Sequence, residues 1–110
     1  MATYKRKQGD SLWINVTCSN TDSIDATWAN WSGVWDIAST IGGTPLITGA
    51  LTRSTSTGTF YLRIGPATTA GWTALATGTY YLTIQIDNTS VDYRHEEQHK
   101  LIVQTQGYTP

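Results

Sequence analysis

His95-Glu96-Glu97-Gln98-His99 is the stretch whose residue types point most directly to chemistry. It matches the H-E-x-x-H spacing, in which two imidazoles hold a Zn²⁺ ion and the glutamate acts as general base. That arrangement needs a helix, where residues i and i+4 stack on one face and both rings reach one ion at ~2.0–2.1 Å. Here the residues that follow, Leu101, Ile102 and Val103, continue a strand predicted over roughly 91–104. Four steps along a strand cover ~13 Å at ~3.3 Å per residue, too far for both rings to share an ion. The expectation is a polar strand with no metal site.

Other catalytic patterns are missing from the sequence. It contains no G-x-S-x-G nucleophile elbow and no glycine loop that would cradle a phosphate. No catalytic residue and no cofactor is therefore expected. The sequons at Asn15, Asn30 and Asn88 are discounted, since serine and threonine are abundant enough to create them by chance.

Tryptophan is in surplus, at positions 13, 28, 31, 35 and 72. Trp35 reads as a core residue of a middle strand, and Trp72 as a plug at one end. Trp28 and Trp31 lie in a Ser/Asn/Asp-rich stretch and are the candidate binding residues. Three readings stay open for them: local packing, burial against a neighbouring subunit, and stacking on a sugar.

Net charge is −1 and only 14% of residues are charged. A surface of that kind argues against general nucleic-acid binding, which draws on many cations to displace counterions from phosphates. Lys5-Arg6-Lys7 is the one basic run and reads as a solvated strand. No apolar run approaches the ~18 residues that would span a membrane, and no hydrophobic segment follows the basic start as in a signal peptide. One cysteine rules out an internal disulfide and favours folding in a cytoplasm.

The elements that must position these residues are strands. Twenty threonines and eight serines make up a quarter of the 110 residues, and β-branched threonine favours extended backbone. Leu12, Ile14, Val16 and Cys18 alternate with Trp13, Asn15 and Thr17, so Cys18 is expected in the core. The same period predicts strands near 4–8, 33–40, 46–51, 59–64 and 79–87. Phe60, Leu62 and Ile64 share one face and Thr59, Tyr61 and Arg63 the other. Tyr80, Leu82, Ile84 and Ile86 share a face of the clearest strand. Between these, Pro66 to Leu75 loses the alternation and suggests a short helical turn.

About seven strands joined by turns indicate one all-β domain over residues 1–110, a sandwich of antiparallel strands. Leu75-Ala76-Thr77-Gly78-Thr79-Tyr80 fits a tyrosine corner, in which a Tyr near the start of the penultimate strand bonds to upstream backbone. An immunoglobulin-like β-sandwich is the expected architecture.

Several short pieces of the chain carry a family resemblance. They are Lys5-Arg6-Lys7-Gln8-Gly9-Asp10, Ile24-Asp25-Ala26-Thr27, Gly58-Thr59-Phe60-Tyr61-Leu62, Pro66-Ala67-Thr68-Thr69-Ala70 and Gly78-Thr79-Tyr80-Tyr81. In this order they resemble bacteriophage virion structural domains, including the N-terminal immunoglobulin-like module of baseplate proteins. The resemblance implies a non-enzymatic virion protein of the baseplate, tail, neck or head surface, made in the host cytoplasm. Its partners would be other virion proteins or copies of itself in a homo-oligomer, with no nucleic acid or membrane. A carbohydrate-binding module using exposed tryptophans is the alternative.

Overall fold

The computed structural model describes residues 1–18, 30–54, 59–88 and 93–105. Strands take up most of them: β1 (Thr3–Lys7), β2 (Leu12–Thr17), β3 (Trp31–Ala38), β4 (Ile47–Ala50), β5 (Thr52–Arg53), β6 (Thr59–Ile64), β7 (Gly78–Asn88) and β8 (Tyr93–Gln104). They form two sheets, one of five strands in the order β1-β8-β7-β3-β4 and one of three in the order β2-β6-β5.

Alternation decides which faces meet. Burial along β2 switches residue by residue, and β7 buries Tyr80, Leu82, Ile84, Ile86 and Asn88 on one face. Leu12, Ile14, Val16, Phe60, Leu62 and Ile64 from the smaller sheet join Trp35, Ile37, Leu82, Ile84 and Leu101 from the larger in one core. The result is a two-layer, sandwich-like all-β fold. Each such aliphatic or phenyl side chain taken fully out of water contributes about 1.5–3 kcal/mol, so the shared core dominates the stability. The inward-facing residues read from β2, β6 and β7 are all buried, as is Trp35 on β3, and Cys18 with them.

Two expectations need correction. Strands were expected to be antiparallel throughout, but β1 runs parallel to β8, with Thr3 opposite Lys100 and Lys7 opposite Gln104. The cause is the connection after β1. Gly9 sits at φ +82°, a left-handed conformation that glycine adopts without a Cβ penalty. The chain turns there and passes to the other sheet, so β1 and β2 do not pair as a hairpin.

The second correction concerns residues 66–75, which hold consecutive hydrogen-bonded turns and no helix. The amides of Thr68 and Thr69 both donate to the Gly65 carbonyl, Trp72 donates to Thr69, and Leu75 donates to Trp72. Gly71 at φ +83° interrupts any helical run. What this segment does is close one end of the core: Trp72 and Leu75 are buried, and the Trp72 indole N–H donates to the Asp10 carbonyl at 2.9 Å. At the same end the Tyr80 hydroxyl donates to the Ala76 carbonyl at 2.7 Å, the bond expected of the corner sequence.

Candidate functional site

The H-E-x-x-H residues lie on β8, an extended strand. His95, Glu97 and His99 stand opposite Ile86, Ile84 and Leu82, on the same side of the larger sheet as the core. Glu97 accepts from both rings: one carboxylate oxygen lies 2.8 Å from His95 Nε2, and the other lies 2.8 Å from His99 Nε2. The Ala2 backbone N–H donates to His99 Nδ1 at 3.1 Å. Burial alone would push the Glu97 carboxyl up, but hydrogen bonds from His95 and His99, and then their charge, hold it below the usual range. The trio is thus an internally satisfied charge cluster on an inward face. Tyr4 packs edge-on against His99, with ring centroids 5.5 Å apart.

Of the two tryptophans singled out as binding residues, Trp28 lies outside the described residues. Trp31 begins β3, is only 3% exposed, and packs against Phe60 with centroids 6.5 Å apart. Its indole is spent on local packing within the chain, because its position continues the inward face of Trp35 and Ile37. Trp35 and Trp72 are buried as expected. The Asn15 side chain belongs to the exposed face of β2.

Among the described tryptophans the exposed indole is Trp13, at 65%. It stands directly across from Arg63 on the outer face of the three-stranded sheet, and Asn15 stands across from Tyr61. The Arg63 guanidinium carbon lies 5.0 Å from the centroid of the Trp13 ring and 4.5 Å from that of Tyr61. A guanidinium within ~6 Å of an aromatic face is held by the ring quadrupole, so the three side chains brace one another. Thr52 extends the row beside Tyr61. Among the described strand residues of this face none is acidic. The signal for the patch was already in the alternation, which sets Trp13, Tyr61 and Arg63 on the faces opposite the core.

The outer face of the five-stranded sheet has a different character. Val34, 52% exposed, and Ala50 form the apolar floor of a shallow cleft of about 310 Å³. Asp36, Thr48, Thr83 and Gln85 surround them. Register explains the grouping, since Val34 pairs with Ala50 and Gln85, and Asp36 with Thr48 and Thr83. Glu96 stands beyond Gln85 on the next strand. Burial raises the Asp36 carboxyl above its ordinary value, and the negative charge of Glu96 adds to the effect. A second opening, of about 360 Å³, lies where Leu46–Ala50 approaches Thr68 and Thr69.

Among the described residues no group of three or more His, Cys, Asp and Glu side chains is arranged to hold a metal ion. No helix among them is long and apolar enough to cross a membrane. Compared with known proteins, the chain matches no protein-family model and no curated protein.

Proposed function

We propose that the chain is an immunoglobulin-like structural module of a bacteriophage particle, non-enzymatic, acting through contacts with copies of itself or with other virion proteins. Strand order supports the immunoglobulin part of this reading. That fold sets strands B, E and D in one sheet against G, F and C in the other, and its variable form adds C′ beside C. The orders β2-β6-β5 and β8-β7-β3-β4 follow the same pattern. A tryptophan on β3, Trp35, and the Tyr80 bond to Ala76, two residues before Leu82, also support this reading, since immunoglobulin domains carry a middle-strand tryptophan and a corner tyrosine two residues before a half-cystine. The phage assignment rests on the resemblance of the short motifs.

The observation that carries the assembly reading is the exposed Trp13–Arg63–Tyr61 row. Tryptophan, tyrosine and arginine are the residue types that dominate interface hot spots. Mounted on a sheet and braced by cation–π contacts, they lose little side-chain entropy when a partner covers them. A second reading draws on the same row: an exposed indole with an amide beside it, Trp13 with Asn15, suits stacking on a sugar ring.

One double variant separates the two readings. Trp13→Ser with Tyr61→Ser should fold, since both side chains lie on an outer face, and should lose incorporation into particles. Normal incorporation with loss of binding on a glycan array would replace the assembly reading with the sugar-binding one.

A further inference from the structure

We propose that copies of this chain stack head-to-tail, the Trp13–Arg63 knob of one copy entering the Val34–Ala50 cleft of the next. The inference rests on the assembly reading and supplies its partner, a second copy, and its geometry.

The two surfaces belong to different sheets, and within one copy they meet where Arg63 borders the second opening beside Thr48 and Ala50. Trp13 and Arg63 belong to the three-stranded sheet, and Val34, Asp36, Thr48 and Ala50 to the five-stranded one. A contact between them is therefore heterologous, and repetition gives a ring or a filament according to whether the rotation closes.

Shape fits this pairing. Trp13 is the most exposed of the described tryptophans, a single projecting indole. The cleft, about 310 Å³ with Val34 and Ala50 on its floor, is at the low end of the range of roughly 300–1,000 Å³ seen for binding pockets. It suits one aromatic side chain, and it exposes an apolar floor that such a ring would cover.

Charge fits as well and sets the direction. The knob face presents Arg63 and no described strand carboxylate, whereas the cleft presents Asp36 with Glu96 near it. Knob against knob would bring guanidinium to guanidinium, and cleft against cleft would bring carboxylate to carboxylate. Knob into cleft brings Arg63 to Asp36. The raised Asp36 carboxyl, crowded by burial and by Glu96, is a group that an incoming guanidinium relieves.

A capping experiment tests the arrangement. Trp13→Ser removes the knob and keeps the cleft, whereas Ala50→Trp fills the cleft and keeps the knob. Circular dichroism and thermal melting establish that each variant is folded, and Asp36→Arg replaces Ala50→Trp if the latter is not. Mass is then followed by light scattering over a concentration series. The expected result is wild-type mass that grows with concentration, each single variant weakened at least tenfold, and an equimolar mixture that stops at a heterodimer. A wild-type chain that stays monomeric overturns the stacking, as does a variant that assembles like wild type or a mixture that gains nothing over its components. Particle incorporation of the wild-type chain keeps the two readings apart. A chain that is incorporated but does not self-associate loses the stacking and keeps the assembly reading, whereas a chain absent from particles loses both.

Discussion

The indole N–H of Trp72 points at the backbone carbonyl of Asp10, 62 positions earlier in the chain, and donates to it at 2.9 Å. That single bond ties the turn segment after β6 to the passage between β1 and β2. The segment gains a fixed position over the end of the core, and the core gains a lid. Gln8 adds a second tie, its side-chain amide donating to the Leu75 carbonyl at 3.2 Å.

Trp72→Phe keeps much of the buried ring and removes the donor. Unfolding by denaturant should show a loss of about 1–3 kcal/mol, combining a lost hydrogen bond with lost volume. An unchanged midpoint would mean that the lid contributes nothing to global stability.

Tyr80→Phe removes only the hydroxyl that donates to Ala76. The expected cost is about 0.5–1.5 kcal/mol, with the urea dependence of stability unchanged, because the surface exposed on unfolding is the same. A steeper or shallower dependence would show that the corner also holds the compact state together.

Gly49 lies against the Trp35 indole, and a Cβ added there would overlap the ring. Gly49→Ala should therefore cost about 1–3 kcal/mol through overpacking, even though β4 lies at the edge of its sheet. Tryptophan fluorescence of the folded variant should shift as Trp35 is displaced. A neutral substitution would show that β4 simply moves outward.

Glu97 yields a pH prediction. Burial opposes ionisation of this carboxyl, but the His95 and His99 hydrogen bonds and charge prevail and lower it from 4.5. A carboxylate lowered on folding stabilises the fold fully above its unfolded value and loses that contribution as pH falls through the folded value. The wild-type melting temperature should thus drop more steeply below about pH 4.5 than that of Glu97→Gln. Parallel curves would remove Glu97 from acid sensitivity.

Much of this was legible before any tertiary structure, for a physical reason. On a two-layer β fold the side-chain period is 2, so composition along a strand already sorts residues into inward and outward sets. Leu12, Phe60, Leu82 and their neighbours went inward on that ground alone, and the same rule placed Trp13, Tyr61 and Arg63 outward. It also set the H-E-x-x-H residues on an extended strand, without the helical stacking on which that match depends. The Tyr80 bond to Ala76 was readable because it is local, spanning four residues.

Contacts distant in sequence had no such signal. The choice of β8 as the parallel partner of β1 and the Trp72 indole bond to Asp10 arise from how strands order themselves once the sheets close. Trp31 illustrates the boundary between local and tertiary information. Its neighbours Asn30 and Ser32 are polar, and local composition left packing, a subunit contact and sugar stacking all open, whereas its parity with Trp35 and Ile37 carries it into the core against Phe60. By itself the sequence determined an all-β chain and the inward and outward face of most strands, because those follow from backbone alternation. Only the tertiary structure decided which outward residues gather into a knob and which into a cleft. Neighbours across a sheet are set by strand order and register, which depend on packing over the whole chain.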